Sequence, residues 1–488
     1  MAKKREYGAE QPYLKAGPFK VRVPFVHYRF EWQDYLQGLI MCCVCLSAIP
    51  MLEQYLGMPF EIAFTIVVLN GILYCLHVLL GDPVVPGWVT PAIPLLMLYV
   101  SQYEMGPDRL RALIAFELLL GVLAFVLGIT GFGKKLVSLI PISIQSGLIV
   151  GSGVAAVLTV FNTGQRFDTF PITITICIGI AFFLLFSNRF KYWAKTNKVA
   201  EFISNLGIFP IMILAVFLGP IVGETIWPTI EFGPNADGLF GIISTPDFAG
   251  LFKEWTFFNP EIGFPGFPYF IKAIPMVFSA YVILFGDMIQ ANALLQDAAK
   301  KRPDEKVDYN PNRSHMIFGL RNVIMSVLGP DVTMCGPLWA AMQVVETDRY
   351  KHGRGAMDSI NGGCGFFRLG TLTGYFILPI VAFVTPILGI ALASTMLIQG
   401  YVSFRVGVQM SRNFNDIGIA GVMAAIIAIK GATWGLAVGI VLYILIQTFN
   451  KKEFDEPLLT ADAMATADEA EEKIAEENVE LIDKVKEE

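Results

Sequence analysis

The polar residues that could do chemistry in this sequence cluster in three short stretches with apolar surroundings. The first reads Gly81-Asp-Pro-Val-Val-Pro-Gly-Trp-Val-Thr-Pro-Ala-Ile93, and the second reads Gly329-Pro-Asp-Val-Thr-Met-Cys-Gly-Pro-Leu-Trp-Ala-Ala341. The third, Phe285-Gly-Asp-Met-Ile-Gln290, places a carboxylate in a long apolar segment. Ionisable groups within such a segment are costly and are functional candidates by default. All three stretches are therefore candidates for binding a small polar solute.

Asp287 and Gln290 are three residues apart and would share one helical face, with Phe285 beside them. We predict that Asp287 is a carboxylate linked to a proton or another cation. The alternative is that the helix ends early and Asp287 lies at the cytoplasmic interface. Arg321 and Asn322 also fall in an apolar segment, where they could pair with a carboxylate or supply positive potential.

The two Gly- and Pro-containing stretches predict extended backbone that continues into a short helix. Proline suits the first turn of a helix, so we expect the helices to begin near Pro91 and Pro337. Extended backbone within a membrane is tolerated only where it lines a protein cavity, and helix N-termini favour anions. The alternative is that Gly and Pro merely kink two ordinary spans. The predicted contact residues are Trp88, Thr90, Pro91, Thr333, Cys335, Gly336 and Trp339.

An internal repeat relates the two broken stretches. Pro91 and Pro337 are 246 residues apart, and a second pair of landmarks, Pro141 and Pro386, is 245 residues apart. Seven predicted spans separate the copies, and an odd number means that the second copy is inverted in the membrane. Inverted repeats of this kind are typical of secondary transporters.

Composition places the chain in the membrane. Of its 488 residues 54% are hydrophobic and only 16% are charged, which excludes an ordinary soluble enzyme, a disordered protein and a nucleic-acid binder. A spanning helix needs about 20 largely apolar residues. On that basis we predict an all-α polytopic protein with 14 spans near 35–52, 60–79, 83–103, 109–130, 139–160, 171–187, 204–224, 267–292, 314–329, 330–347, 366–384, 386–404, 414–430 and 432–449.

Charge sets the expected orientation. Residues 453–488 carry 14 acidic residues and three lysines, so the net charge of −6 divides into −11 for this tail and +5 for the rest. Lys and Arg concentrate in the N-terminal tail and alternate loops, whereas the loop 225–266 has one lysine against five acids. This positive-inside pattern predicts a plasma (inner) membrane protein with both termini in the cytoplasm.

Catalytic signatures are missing from the sequence. It contains no P-loop, no GxSxG, no HExxH and no zinc-ligand spacing, and its seven cysteines are an odd number that lie almost all in apolar stretches. We therefore expect a non-enzyme with no cofactor or metal, apart from H⁺ or Na⁺ as a coupling ion. A membrane-embedded enzyme is a disfavoured alternative.

The order of these landmarks resembles the nucleobase–ascorbate (uracil/xanthine permease-like) family, whose fold sulfate permeases and bicarbonate transporters share. The resemblance covers roughly residues 30–450. It is carried by the broken third and tenth spans, by Gly286-Asp287 in the eighth, and by Ile140-Pro-Ile-Ser-Ile-Gln-Ser-Gly-Leu-Ile-Val-Gly151 in the fifth. This chain departs from the family at two positions, because Ile283 and Gly336 stand where nucleobase permeases usually carry glutamate.

The resemblance implies a mechanism and a domain plan. Spans 1–4 and 8–11 would form a substrate-carrying core that moves as an elevator against a gate of spans 5–7 and 12–14, which often dimerises. We expect a homodimer that binds membrane lipid and a small solute, with no nucleic-acid partner. The expected regions are a tail at 1–32, a first repeat at 33–224, a linker loop at 225–266, a second repeat at 267–450 and an acidic tail at 451–488.

The combined prediction is a secondary-active transporter of a small anionic or polar solute, coupled to H⁺ or Na⁺. The alternatives are a nucleobase:proton symporter that uses Asp287 in place of the missing glutamates, and an anion channel on the same fold.

Overall fold

The computed structural model describes residues 5–133, 135, 139–205, 209–230, 233–234 and 240–448. The predicted acidic tail, Lys134 and parts of the N-terminal tail and of the linker loop lie outside the described residues.

The first half of the described chain begins with a β-hairpin and continues with helices. The hairpin strands are β1 (Leu14–Ala16) and β2 (Phe19–Val21), and a third strand, β3 (Gly87–Trp88), precedes a 3₁₀ turn at Thr90–Ala92. The helices are α1 (Trp32–Leu46), α2 (Ile49–Leu56), α3 (Phe60–Tyr74), α4 (Leu76–Leu79), α5 (Ile93–Val100), α6 (Pro107–Thr130), α7 (Ile142–Phe161), α8 (Arg166–Thr169), α9 (Pro171–Phe186), α10 (Asn188–Thr196), α11 (Lys198–Asn205) and α12 (Phe209–Ile221).

The second half repeats this order of long and broken helices. Between the halves, the expected linker loop contains strands β4 (Gly233–Pro234) and β5 (Phe240–Gly241) and helix α13 (Phe248–Glu254). The later elements are α14 (Phe267–Lys301), α15 (Pro311–Leu328), β6 (Cys335–Gly336), α16 (Ala340–Lys351), α17 (Ile360–Tyr375), α18 (Leu378–Val384), a 3₁₀ turn at Thr385–Ile387, α19 (Leu388–Met410), α20 (Phe414–Lys430) and α21 (Ala432–Ile446).

The helical, membrane-spanning character predicted from the sequence is confirmed. Six helices of the described chain are long and apolar enough to cross a membrane, and a seventh counts if α9 and α10, bent by 60°, form one span. Several other predicted spans contain helices too short to cross a membrane alone. Helices α5 and α16 are about half the length of a span, and α12 and α21 are only 13 and 15 residues long. The count of 14 spans and the domain boundaries stay predictions.

Close packing of α6 on α15 forms the centre of the molecule. A Cβ atom on Gly121 of α6 would lie 2.7 Å from the Val323 nitrogen, and one on Gly319 of α15 would lie 2.6 Å from the Phe125 nitrogen. Only glycine allows backbones to approach this closely, as in other membrane helix pairs. This packing fixes α15, which carries Arg321 and Asn322.

The N-terminal residues 5–31, which we name the N-terminal clasp, bind the loop between α14 and α15. Arg5 forms ion pairs with Asp304 at 3.1 Å and with Glu305 at 3.5 Å, and the side chains of Arg5 and Glu305 are fully buried. Ser359 donates to Glu305 at 2.7 Å. The Arg302 guanidinium holds the pKa of Asp304 below its usual range, so this carboxylate stays charged within the cluster.

The clasp also reaches the broken span of the first half. Lys20 pairs with Asp308 at 2.7 Å, and Arg22 donates to the carbonyl oxygen of Gly81 at 3.3 Å. Gly81 opens the stretch that leads to β3. The clasp therefore connects the broken span of the first half to the loop before α15 in the second half.

We expect Arg5→Gln to lower the thermal stability of the detergent-solubilised protein. The substitution leaves Glu305 buried without its ion-pair partner, and breaking such a pair typically costs about 3–5 kcal/mol. Thermal unfolding monitored by intrinsic fluorescence measures the change. Lys15→Gln in the exposed strand β1 is the matched control. Equal unfolding temperatures for wild type and Arg5→Gln would contradict this role of the clasp.

Candidate substrate-binding site

Strands β3 and β6 meet inside the protein, and we name this pair the crossing point. They are antiparallel, with Gly87 opposite Gly336 and Trp88 opposite Cys335. The pairing extends on both sides, since Val89 N–H donates to Thr333 at 3.3 Å and Trp339 N–H donates to Val85 at 2.6 Å. Antiparallel pairing means that the two broken spans arrive from opposite directions, as the inverted repeat predicts.

Two glycines make the crossing point possible. A Cβ atom on Gly87 would lie 2.8 Å from the Trp339 Cβ, and one on Gly336 would lie 2.9 Å from the Gly87 carbonyl oxygen. Neither position can accept a side chain without separating the strands.

A helix follows each strand of the crossing point, and one of the two begins where the sequence predicts. Pro91 lies in the 3₁₀ turn that leads into α5, as predicted. Pro337 does not begin the second half-helix, because α16 starts at Ala340 with Trp339 as its N-cap. The prediction was wrong here because the backbone stays extended until the Trp339 N–H has bonded to Val85. At the start of α5 the N–H groups of Ala92 and Ile93 both donate to the Val89 carbonyl, at 2.8 Å and 3.2 Å. The first N–H groups of α16 have no intrahelical acceptor and lie next to the crossing point.

Two side chains of α15 hold β6 in place. The amide of Asn322 donates to the Cys335 carbonyl at 2.8 Å and accepts from the Cys335 N–H at 3.1 Å, so it pairs with this strand as a backbone would. Arg321 donates to the Gly336 carbonyl at 3.0 Å. Of the two roles left open for Arg321, the structure favours the supply of positive charge to the crossing point, because within the described residues its guanidinium binds a carbonyl and an amide oxygen and forms no ion pair with a carboxylate.

Asn70 of α3 connects the crossing point to Asp331. Its Nδ2 donates to Asp331 at 2.7 Å and to the Thr333 hydroxyl at 3.3 Å, and its Oδ1 accepts from Arg321 at 3.3 Å. The Thr333 N–H donates to Asp331 at 3.0 Å, and the Thr333 hydroxyl donates to the same carboxylate. These bonds fix the extended segment that enters β6.

Arg368 of α17 is a buried cation without an acidic partner. Its side chain is 1% exposed, and no carboxylate of the described chain lies within ion-pair distance. Its guanidinium carbon lies 4.2 Å from the Tyr74 ring centre and 5.0 Å from that of Trp339. Its Nε and Nη2 have no hydrogen-bond partner, and Nη1 has only Cys45 Sγ at 3.9 Å. Tyr74 is also stacked by Arg321, at 4.5 Å, so two guanidinium groups flank one ring.

A small cavity lies beside these groups. Its free volume is about one water molecule with the side chains in their present positions. It lies between α1, α3, α17 and the crossing point, and its lining includes Cys45, Asn70, Tyr74, Trp88, Asp331, Thr333 and Tyr375. Arg368 does not line the cavity itself but contacts two residues that do, Cys45 and Tyr74.

Most of the predicted contact residues lie at or beside the crossing point. Thr333, Cys335 and Gly336 are fully buried there, and Trp88 is half-buried and lines the cavity. Thr90 and Pro91 are half-buried in the 3₁₀ turn, and Trp339 is half-buried at the start of α16. No residue of this group is far from the two broken spans.

The predicted contact residues on α14 are less closely connected to the crossing point. Phe285 and Asp287 are half-buried and Gln290 is exposed. Helix α14 packs against the 3₁₀ turn and α16. Within the described chain, however, no hydrogen bond joins Asp287 to the crossing point. Its neighbour Met288 accepts at 3.4 Å from the hydroxyl of Tyr309, the residue that precedes the N-cap of α15. The coupling role of Asp287 stays a prediction.

Sequence reasoning missed several polar residues of the site, namely Asn70, Glu117, Asp331 and Arg368. Glu117 and Arg368 are charges within predicted spans 109–130 and 366–384, so the signal used for Asp287 would have found them. Asn70 is a lone amide in an apolar helix, and nothing in the sequence shows that α3 faces the crossing point. Asp331 is part of the second broken stretch, but it follows Gly329 and Pro330, and an aspartate in that position is typical of a turn.

We expect Gly336→Ala to destabilise the protein and Gly286→Ala to leave it intact. The new Cβ at 336 would press on the backbone of β3, and overpacking of this kind typically costs about 1–3 kcal/mol. A Cβ at Gly286, in α14, would meet no atom within 4 Å. Thermal unfolding of both variants in detergent tests the pairing. If Gly336→Ala unfolds at the wild-type temperature, the strands are not held as closely as described.

Comparison with known proteins places the fold. No known family and no curated protein matches the sequence. Among solved structures, that of SLC26A9 matches with a TM-score of 0.51 at 14% identity, over 85% of this chain and 65% of that chain. The murine Slc26a9 anion transporter in its inward-facing state gives 0.48 at 13% identity, over 86% and 68%. The transmembrane domain of the cyanobacterial bicarbonate transporter BicA gives 0.46 at 15% identity, over 85% and 97%.

At these identities the likeness shows the fold alone. The chain has the fold of SLC26A9 and spans about two thirds of the length of that protein chain. The predicted resemblance is confirmed at the level of a fold that several transporter families share, and the nucleobase–ascorbate branch stays a prediction. The chain is an integral membrane protein with this fold.

Proposed function

We propose that this protein is a secondary-active transporter that binds a small anion next to the crossing point. The observation that carries the proposal is Arg368, a buried guanidinium with no carboxylate partner in the described chain and two unpartnered nitrogens. Arginine stays charged in proteins, and a buried charge costs several kcal/mol unless it is paired. A bound anion supplies the missing partner.

The surroundings of Arg368 favour an anion further. Arg321 stacks on the same Tyr74 ring as Arg368, and the positive end of the α16 dipole lies beside the crossing point. Trp339 and Tyr74 hold the Arg368 guanidinium between aromatic rings, which keeps it in place when the anion leaves.

The size of the cavity favours a small inorganic anion over a nucleobase. It has room for about one water molecule, so a planar heterocycle would require a larger rearrangement than a small inorganic anion. In the nucleobase–ascorbate family, which this chain resembles, two glutamates would bind the nucleobase. Ile283 and Gly336 stand at these positions here.

An elevator movement between core and gate suits this arrangement. The crossing point belongs to the proposed core, whereas α7, α8 and α19 belong to the proposed gate. A cleft of about 500 Å³ separates α2 of the core from α8 and the start of α19. Gln54 and Gln165 hydrogen-bond across it at 3.0 Å, so the two bodies touch there. Coupling to H⁺ or Na⁺ and a dimer formed by the gates complete the proposal.

We expect Arg368→Gln to weaken anion binding by roughly ten- to a hundredfold, because a hydrogen bond to a charged group contributes about 1.5–3 kcal/mol. Arg368→Lys keeps the charge and should retain part of the affinity. Proteoliposome uptake and thermal shift with chloride, bicarbonate, sulfate and uracil measure the effect. Arg405→Gln is the matched control, because Arg405 is exposed on α19.

Two results would overturn the anion proposal. One is wild-type affinity for the preferred anion in Arg368→Gln. The other is stabilisation and uphill uptake of uracil with no response to any anion, which would favour the nucleobase symporter. Conduction without uphill accumulation would favour a channel.

We expect a cross-link between the two bodies to stop transport. Gln54→Cys combined with Gln165→Cys places two thiols across the cleft between α2 and α8, where a short bifunctional thiol reagent can join them. Uptake should fall only in the double variant and should return when a cleavable reagent is reduced. The single variants treated in the same way are the controls. Full uptake by a completely cross-linked protein would contradict the elevator movement.

A further inference from the structure

Glu117 is a buried carboxyl group that the proposed anion site does not use. It lies in the middle of α6, its exposure is 0%, and one of its oxygens, Oε1, has no hydrogen-bond partner. The other oxygen, Oε2, accepts from the backbone N–H of Asp331 at 3.2 Å. One hydrogen bond does not compensate a full negative charge in an apolar interior.

Asp331 is much better provided with donors. Its carboxylate accepts from Asn70 and from the N–H and hydroxyl groups of Thr333, and Arg321 shares Asn70 with it. Of these two acids, Asp331 is therefore the one suited to a permanent negative charge. Glu117 is the one whose charge can change.

Glu117 is joined to the crossing point by a short path. Its hydrogen bond holds the backbone of Asp331, and Asp331 in turn fixes Thr333, two residues before Cys335. A change in the charge of Glu117 therefore acts on the segment that forms one side of the cavity.

The charge balance of the cluster depends on Glu117. Arg321 and Arg368 contribute positive charge, Asp331 contributes negative charge, and the buried Asp82 bonds to His77 at 2.9 Å nearby. With Glu117 neutral the cluster is more positive by one charge than with Glu117 ionised, which favours binding of an anion. With Glu117 ionised, a further carboxylate lies next to Asp331.

We infer that Glu117 takes up the proton that accompanies anion binding, so that the anion and the proton bind together and are released together. The inference rests on the proposed function. The proton comes from water when the anion binds, stays on the Glu117 carboxyl group during the movement of the core, and returns to water on the other side. Linkage requires the reciprocal effect, namely that low pH strengthens anion binding.

Other charged and titratable groups around α6 are compatible with this role. Asp331 and Cys335 lie within electrostatic reach of Glu117. The helices packed on α6 bring Arg321 from α15, Tyr99 from α5, and Tyr281 and Asp287 from α14. Tyr99 bonds to Tyr103 and Tyr281 bonds to His315, so both hydroxyl groups have their own partners.

The test measures proton uptake on anion binding by the full-length protein in detergent. Chloride, nitrate and sulfate serve as probes, because their charge is constant between about pH 5.5 and pH 8.5. A pH-sensitive dye in weakly buffered solution reports the protons, and a thermal-shift titration reports anion affinity. Wild type, Glu117→Gln, Glu117→Asp and Asp287→Asn are compared, with Glu61→Gln as the matched control because Glu61 is exposed on α3.

The inference predicts that wild type takes up close to one proton per anion and that its affinity rises by up to tenfold per pH unit on acidification. Glu117→Gln should bind the anion at every pH with the affinity that wild type has at low pH, and without proton uptake. Glu117→Asp and Asp287→Asn should both retain proton uptake, as should Glu61→Gln.

The possible failures are distinguishable. Anion binding by wild type without proton uptake, or proton uptake that persists in Glu117→Gln, overturns the inference and leaves the proposed function intact. Loss of proton uptake in Asp287→Asn but not in Glu117→Gln assigns coupling to Asp287 instead. If no probe binds to wild type, the proposed function fails and the inference fails with it. If Glu117→Gln does not fold, wild type still overturns the inference by binding an anion without proton uptake, and loss of proton uptake in Asp287→Asn overturns it as well.

Discussion

The constraint on which the structure depends is that backbone groups in an apolar interior need partners within the protein. Two spans break at the crossing point, and their exposed peptide groups bond to each other and to the amide of Asn322. This solution needs glycine at 87 and 336, an amide at 322 and antiparallel entry of the two segments. The inverted repeat supplies the antiparallel entry, so the topology and the site arise from the same requirement.

Hydrogen bonding at the crossing point satisfies the backbone groups but not the buried charged side chains beside them. The helix starts beside the crossing point are positive, and two guanidinium groups lie around Tyr74, while Asp331 provides a negative charge held by three donors. Within the described residues Arg368 has no ion-pair partner, and Glu117 has an oxygen without a hydrogen-bond partner. These two buried groups are the basis of our proposal that an anion and a proton bind together.

The sequence allowed the fold to be predicted further than the site. Hydropathy, the positive-inside pattern and the repeated Gly and Pro stretches were sufficient for a helical membrane protein with two opposed broken spans. They also placed Trp88, Thr333, Cys335 and Gly336 at the breaks, because Gly and Pro within an apolar segment show where a span is interrupted. Pro337 was misplaced because hydrogen bonding to the other half, which extends the strand, is not visible in local sequence. Arg368 and Asn70 reach the site only through the packing of α17 and α3, and sequence periodicity does not show that packing.

The central claim is that an anion occupies the space beside the crossing point and Arg368. Anomalous diffraction from crystals grown in bromide tests it most directly, because bromide replaces a small anion and is located by its own signal. The account predicts a bromide peak in the cavity lined by Cys45, Tyr74 and Thr333, within hydrogen-bonding distance of the Arg368 guanidinium, and its loss in Arg368→Gln. Bromide bound only at the protein surface, with the cavity empty, would contradict it.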